Sequence, residues 1–139
     1  MRERAEELIR ATTIKVTDED VAATVAGGHA DIMVAHDAPV GVPEIDQRLA
    51  GKAHRWDPED LLYAGECREM FTLAVARVLP DLLIHGHYHF PVCGSWPHPG
   101  ILGETRVIGL GTHGDFNHAL GVLRAGSLRA EHVLVHWKN

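Results

Sequence analysis

A chain of 139 residues with 45% hydrophobic and 23% charged residues has the composition of one folded domain, which excludes disorder along its whole length. Its 13 Lys and Arg are outnumbered by 19 Asp and Glu, and the formal charge of −6 argues against a protein that binds nucleic acid. No apolar run is long enough to span a bilayer, and the first residues lack the apolar segment of a signal peptide. Two cysteines outside a CxxC spacing are too few for a disulfide framework, so we expect a cytoplasmic protein without membrane contact.

The amino-terminal part predicts one helix and one strand. Residues 1–10 alternate acids and bases, and no apolar stripe dominates them. Residues 1–16 are therefore assigned as a poorly defined segment that precedes a domain over residues 17–139. Thr17, followed three positions later by an acid, forms the pattern of a capping box and predicts a helix that ends at a Gly-Gly pair. The apolar run 31–35 then predicts a short buried strand that ends at His36.

The central part predicts a long helix and a second strand. Residues 39–43 are rich in Pro and Gly and indicate a loop. Asp57-Pro58 opens the clearest helix, whose apolar residues recur at steps of three and four until Pro80 ends it. Residues 81–84 form a second short apolar run, which predicts a buried strand that leads into a histidine-rich segment.

The order strand, helix, strand is a βαβ unit, so its two strands are expected to run parallel. Parallel neighbours place their carboxyl ends at the same edge of a sheet, where ligands bind in α/β proteins. Both predicted strands end in histidine, at His36 and in the segment 85–89. We therefore expect these histidines to meet although about fifty residues separate them in the chain.

The carboxyl-terminal part predicts strands without helices. Residues 106–110, 119–123 and 129–137 form three apolar or alternating runs separated by glycine-containing turns. Such a series is typical of antiparallel strands. The fold class is therefore α/β, of the α+β kind, with a βαβ unit followed by antiparallel strands.

Histidine is the residue type that stands out, with eleven in the chain. At that frequency, chance alone supplies roughly one His-x-His pair, but Gly86-His87-Tyr88-His89 combines the pair with a preceding glycine and an upstream strand. Solvated loop histidines are the alternative interpretation. His36, at the end of the matching strand, favours a metal site, because neutral imidazole binds Zn, Mn, Fe or Ni.

Two further histidines have weaker signals. His85 directly precedes the glycine, and a histidine there more often supports a metal site from behind than ligates it. His29 has no paired spacing, and we interpret it as a surface or structural residue.

Three segments together resemble the carboxyl half of a calcineurin-like metallophosphoesterase. They are residues 31–39 (DIMVAHDAP), 83–89 (LIHGHYH) and 107–111 (VIGLG), and the resemblance extends from about Thr17 onward. It implies a partial metallophosphoesterase sandwich and phosphate-ester substrates.

The resemblance also implies a ligand set. His36 and His87 would bind one metal of a two-metal centre and His89 the other, with Mn, Fe, Zn or Ni as the divalent ion. Such centres hydrolyse phosphomonoesters or phosphodiesters with a metal-bound hydroxide.

The sequence departs from the family in its amino half, because the motifs D-x-H, G-D and G-N-H-[D/E] are not in place. Residues 114–118 (GDFNH) echo two of them but follow the G-H-x-H motif, and a polar turn is the simpler interpretation. Three imidazoles carry no negative charge to offset two dications, whereas one ion with three histidines and an open position is chemically reasonable.

We therefore expect a metallophosphoesterase that is incomplete as this chain and inactive in isolation. Half of a two-sheet sandwich would leave an apolar sheet face and a strand edge uncovered. This predicts self-association or a complementing polypeptide that covers them. The alternative is a non-catalytic, truncated remnant that acts as a partner-binding or metal-binding module. A third possibility is a self-contained hydrolase with one metal ion.

Overall fold

A computed structural model describes residues 15–112, 120–127 and 129–133. The amino-terminal segment up to residue 14, the predicted motif at 114–118 and the last residues of the predicted final strand, 134–137, lie outside this part of the chain. The described helices are α1 (Asp18–Ala26), α2 (Pro43–Lys52) and α3 (Pro58–Val78). The described strands are β1 (Ile32–Val34), β2 (Leu82–His85), β3 (Val92–Pro97), β4 (Glu104–Gly109), β5 (Leu120–Arg124) and β6 (Arg129–Val133). Among these helices, none has the length and apolar character needed to cross a membrane.

Four of the strands form one mixed sheet in the order β1-β2-β4-β3. Strand β2 is parallel to both of its neighbours, with Leu83 opposite Met33 on one side and Val107 on the other. Strand β3 closes the far side antiparallel to β4. Strands β5 and β6 form a separate antiparallel pair. The chain is thus a mixed α/β protein, as its sequence predicts.

The βαβ unit is confirmed, because α3 connects two parallel strands. Asp57 caps α3 by accepting a hydrogen bond from the Glu59 amide at 2.9 Å, and Pro58 occupies the first turn. The helix ends at Leu79, whose φ of 50° is left-handed, directly before Pro80. The capping box at the start of α1 is confirmed as well.

The region around residue 43, expected to be a loop, contains helix α2. Pro43 stands in its first turn, where the missing amide hydrogen has no cost, and Ile45 is fully buried. The burial of Ile45 against the rest of the protein stabilises this short helix, even though the preceding residues 39–43 are rich in Pro and Gly. Strand β3 (Val92–Pro97) was likewise not predicted, because no strand pattern was identified in these residues.

Two expectations about the strands are corrected. Strand β4 is parallel to β2, so the carboxyl-terminal part is antiparallel only in the pairs β3–β4 and β5–β6. Strand β1 is not buried, because it lies at the edge of the four-stranded sheet and the Val34 side chain is 73% exposed.

The main core lies where the helices pack on one face of the sheet. It contains the buried residues Ala38, Val42, Ile45, Val75, Leu83, Phe90, Val92, Trp96 and Val107. Leu82 and Ile108, which alternate with core residues along β2 and β4, form a second buried cluster. Burial on both faces fixes the register of these central strands, and with it the position of the residues at their ends.

Candidate metal centre

The carboxyl ends of β1 and β2 meet, as the parallel arrangement requires. The Ala35 amide donates to the Ile84 carbonyl at 2.9 Å, and the Gly86 amide donates to the His36 carbonyl at 3.3 Å. These bonds continue the pairing of the two strands by two residues beyond β1. The backbone of His36 is therefore attached to the start of the histidine-rich segment.

His36 and His87 are in direct contact across this edge. His36 Nε2 lies 2.8 Å from His87 Nδ1, and the ring centroids are 4.6 Å apart in an edge-to-face arrangement. One of the two nitrogens must carry the hydrogen and the other the lone pair. The contact joins residues 51 positions apart, and it brings together two of the three predicted ligands.

A tight backbone conformation aims His87 at His36. His87 and His89 have left-handed φ values of 63° and 59°, and the Tyr88 amide donates to the Gly86 carbonyl at 2.7 Å. A left-handed conformation costs a non-glycine residue about 1 kcal/mol. Two such residues within three positions indicate that the surrounding contacts hold this segment in place.

The third predicted ligand, His89, does not join the other two. Within the part of the chain that the structure describes, no choice of one nitrogen from each ring places His36, His87 and His89 all within 4.8 Å of one another. All three side chains are exposed. The structure therefore presents a pair of imidazoles with a third nearby in sequence.

The pair is close to the geometry that one ion needs. Two imidazole nitrogens bound at about 2.05 Å to a tetrahedral ion lie about 3.3 Å apart. The His36–His87 nitrogens at 2.8 Å must separate by only about half an ångström, and both rings are exposed enough to turn. The protein atoms around the ring remove part of its water and lower the pKa of His87 below its usual range, although one side of the ring is exposed. Asp37 opposes this decrease in pKa, and the neighbouring His36 and His89 add to it.

His85 lies behind the pair and is buried, with 2% of its surface exposed. Its Nδ1 is 3.0 Å from the Gly86 carbonyl, which can only accept, so Nδ1 carries the hydrogen. Its Nε2 has no hydrogen-bond partner among the described residues. A Cβ atom at Gly109 would lie 2.8 Å from that nitrogen, so the glycine makes room for the ring. Burial lowers the pKa of His85. His85 thus lies behind the histidine pair with its ring fixed at Nδ1, and a supporting role there stays a prediction.

Tyr88 ties the histidine-rich segment to the end of β1. Its hydroxyl donates a short hydrogen bond to Asp37 Oδ1, which also accepts from the Ala38 amide at 2.7 Å. Burial, together with the Asp37 carboxylate, raises the pKa of Tyr88 well above its usual range. Tyr88 therefore stays a hydrogen-bond donor to Asp37 Oδ1.

The loop after β1 is fastened by Arg68 of α3. Its Nε donates to the Ala38 carbonyl at 3.1 Å and its Nη2 to the Pro39 carbonyl at 2.7 Å. The same Nη2 lies 2.7 Å from Asp46 Oδ1, and the residue is only 9% exposed. The guanidinium carbon also lies 5.7 Å from the Tyr88 ring centroid. Sequence reasoning missed Arg68, because its role depends on backbone carbonyls about thirty positions away.

Val40 is held from two further sides. Its amide donates to Thr72 Oγ1 at 2.9 Å, and its carbonyl accepts from Trp96 Nε1 at 2.7 Å. Together with Arg68 and Tyr88, these bonds hold residues 37–40 against both α3 and β3. The position of His36 at this edge thus follows from a network of buried contacts.

A different donor group lies at the opposite edge. Among the side chains that the structure describes, the one group of three potential metal ligands within 4.8 Å of one another is His29, Asp31 and Asp81. All three are exposed and stand at the amino ends of β1 and β2. His29 had been interpreted as a surface residue, and neither aspartate had been singled out.

No protein-family model matches this chain, and no curated protein matches it. The relationship to calcineurin-like metallophosphoesterases stays a prediction from the three sequence segments.

Proposed function

We propose that this chain is the carboxyl-terminal portion of a calcineurin-like metallophosphoesterase, which binds a divalent metal and hydrolyses phosphate esters once a further segment or polypeptide completes its site. The observation that carries the proposal is the 2.8 Å approach of His36 Nε2 to His87 Nδ1 at the carboxyl ends of two parallel strands. Strand pairing brings the two residues to one edge, and the direct approach of their nitrogens gives one ion two imidazole donors at the same point.

His36 and His87 would hold the ion, and His89 is the third candidate ligand. Imidazole donors suit Mn, Fe, Zn or Ni. When bound, the metal would supply an activated water and a positive charge for the phosphate oxygens. The protein holds the backbone on both sides of the pair in place, since Tyr88 and Asp37 connect the two strand ends, while the exposed rings adjust to the ion.

The completing segment must bring negative charge. The three histidines are neutral ligands, and the one nearby carboxylate, Asp37, whose Oδ1 accepts from Tyr88 and the Ala38 amide, carries a single negative charge against the four positive charges of two dications. Two dications bound by neutral groups alone would repel each other without compensation. We therefore expect the completing part to supply carboxylates.

Strand β1 offers a place for that part to attach. It pairs with β2 on one side and forms the edge of the four-stranded sheet on the other, with Val34 73% exposed. An exposed edge strand is a template for a further strand. A strand added there would end beside His36, which supports a site shared between this chain and a second segment or a second copy.

Metal loading tests the proposal. Untagged protein is loaded with Zn²⁺ or Mn²⁺, desalted, and the metal content per chain is measured, in an Asp31→Asn background so that the opposite edge does not contribute. We expect His36→Ala and His87→Ala each to remove the bound ion, and His54→Ala, an exposed histidine elsewhere, to retain it. Equal loading of all variants would overturn the proposed site.

Activity is measured separately with p-nitrophenyl phosphate and its bis-ester. We expect no turnover by the isolated chain and metal-dependent turnover when the amino-terminal half of a family member is added. The alternative, a non-catalytic partner-binding or metal-binding module, is favoured by the small number of carboxylates beside the histidine pair: Asp37 is the one that acts electrostatically on His87 among the described residues, and its Oδ1 accepts from Tyr88 and the Ala38 amide. Metal binding without turnover under any complementation would establish that alternative.

A further inference from the structure

We propose that His29, Asp31 and Asp81 form a second metal site, for a divalent transition-metal ion, at the amino edge of the sheet. One ligand atom of each residue lies within 4.8 Å of those of the other two. Asp31 precedes β1 and His36 follows it, so at about 3.3 Å per residue the two edges are roughly 15 Å apart. The proposed site is thus independent of the histidine pair and of the phosphoesterase function.

The two aspartates are attached to the frame of the sheet. The Asp31 carbonyl accepts hydrogen bonds from the amides of Asp81 and Leu82, at 3.1 and 3.0 Å. The Asp81 carbonyl in turn accepts from the Arg106 amide at 2.9 Å. The carboxylates therefore project from adjacent, hydrogen-bonded positions, in register with the parallel pairing of β1 and β2.

His29 supplies evidence that does not come from the acids. Its Nδ1 lies 3.1 Å from the Val78 carbonyl, which can only accept, so Nδ1 carries the hydrogen of the neutral ring. The lone pair is then on Nε2, which faces Asp31 Oδ1 at 3.4 Å. Both atoms thus direct lone pairs into the same space, which is the arrangement that two ligands of one cation have.

The arrangement of His29 is also the one that metal-binding histidines adopt. Such residues usually donate the second ring N–H to a backbone carbonyl or a carboxylate, which fixes the ring and leaves the other nitrogen free for the ion. In this chain the Val78 carbonyl has that role. The carbonyl comes from the end of α3, outside the donor group itself.

The charge and the donor types select the ion. Asp31 and Asp81 have no ion pair with a lysine or arginine among the described residues, so a dication would balance their two charges. One imidazole nitrogen combined with carboxylate oxygens favours Zn²⁺, Mn²⁺ or Fe²⁺, whereas Mg²⁺ and Ca²⁺ prefer oxygen ligands alone. A proton on His29 is the competing cation, because it would convert the contact with Asp31 into a simple ion pair.

Paramagnetic broadening by Mn²⁺ locates the ion. Untagged, isotope-labelled protein is titrated with Mn²⁺ while the backbone amide signals are recorded, for the native chain and for His87→Ala. We expect the amides of Asp31 and Asp81 to be broadened at the lowest Mn²⁺ concentrations in both proteins, and those of Gly86 and residue 87 to be broadened as strongly only in the native chain. In His87→Ala the broadening should fall from the amino edge toward Gly86, and this gradient separates the proposal from the proposed function.

Substitutions then test the ligands. Asp31→Asn and Asp81→Asn are each expected to weaken Mn²⁺ and Zn²⁺ binding at the amino edge by about tenfold or more, whereas Asp60→Asn, an exposed acid of α3, leaves it unchanged. The side chains of His29 and Asp31 are 56% and 70% exposed, so these positions tolerate substitution, and the amide spectrum verifies the fold of each variant. If Asp31 and Asp81 respond no more than Asp60, or if the amino edge does not broaden, His29 is balanced by a proton alone and the proposed site is wrong.

Discussion

The two edges of the four-stranded sheet differ in how their polar side chains are held. At the carboxyl edge, His36 and His87 are positioned by buried contacts of Tyr88, Asp37 and Arg68, but the ligands are neutral. At the amino edge, the donor group is exposed and has few contacts, yet it already contains two carboxylates. Neutral histidines alone can hold one ion, but a two-metal centre also requires negative charge. Under the proposed function, the first edge would need a completing segment for two metals, whereas the second edge contains its own carboxylates.

The largest effect is expected at Arg68, the residue that holds the loop of the carboxyl edge. Arg68→Ala removes two hydrogen bonds to backbone carbonyls and leaves Asp46 without its cation, so the free energy of unfolding should fall by about 3 kcal/mol. Urea denaturation measures the change. Arg77→Ala, an exposed arginine of the same helix, should change stability by less than about 0.5 kcal/mol. Equal effects of both substitutions would mean that the carboxyl edge is not held by Arg68.

The next effect concerns the space behind the histidine pair. Gly109→Ala would place a Cβ atom 2.7 Å from His85 Cε1 and 2.9 Å from Val92 Cβ, so the ring must move and stability should fall by about 2 kcal/mol. Gly51→Ala, in α2 with open space around it, should instead be neutral or stabilising by up to about 1 kcal/mol. Thermal unfolding of both variants measures the change in stability. A loss in Gly109→Ala alone indicates a steric conflict at that position, and a loss in both indicates that replacing glycine is unfavourable in general. A tolerated Gly109→Ala would show that the His85 ring is free to move.

Tyr88→Phe tests the connection between the two strand ends. Loss of the hydrogen bond to the Asp37 carboxylate should lower the free energy of unfolding by about 1.5 kcal/mol. The folded state raises the pKa of Tyr88 from 10.0, so the native protein holds this proton more tightly than the unfolded chain. The stabilisation is therefore complete below pH 10 and declines as the pH rises above it.

Denaturation of the native chain and of Tyr88→Phe across that alkaline range isolates the contribution of this one group. The difference in stability between the two proteins should shrink as the pH rises. A constant difference would mean that the hydroxyl is not buried against Asp37.

The smallest effect is expected at the amino edge. In metal-free buffer, Asp81→Asn should change the free energy of unfolding by less than about 0.5 kcal/mol, because its side chain is exposed and its backbone hydrogen bonds are unaffected. Denaturation with and without Zn²⁺ measures this. Zn²⁺ should stabilise the native chain more than the variant. A large loss of stability without metal would assign the aspartate to the fold instead of to an ion.

Local signals explain what could be predicted from the sequence. The Asp57-Pro58 start of α3 and the strand that ends at His36 are encoded within a few residues. From these, the parallel arrangement of a βαβ unit was enough to predict that His36 meets the segment that contains His87. The position of His89 was not predictable, because it depends on left-handed backbone conformations at two successive histidines.

Features that depend on tertiary contacts could not be predicted. Helix α2 forms because Ile45 is buried, and β4 lies parallel to β2 although β3 precedes it. Asp31 and Asp81 are an intermediate case, since each is the first residue of a predicted strand. Parallel strands bring their amino ends together as well as their carboxyl ends, so the reasoning that paired the histidines also applies to these two acids.

The most direct test of the central claim, that the histidine pair binds a metal, is an anomalous-diffraction measurement on zinc-loaded crystals. We expect a zinc peak about 2.1 Å from both His36 Nε2 and His87 Nδ1, with the two nitrogens separated to about 3.3 Å. A pair that keeps its 2.8 Å hydrogen bond while zinc binds elsewhere would contradict the claim.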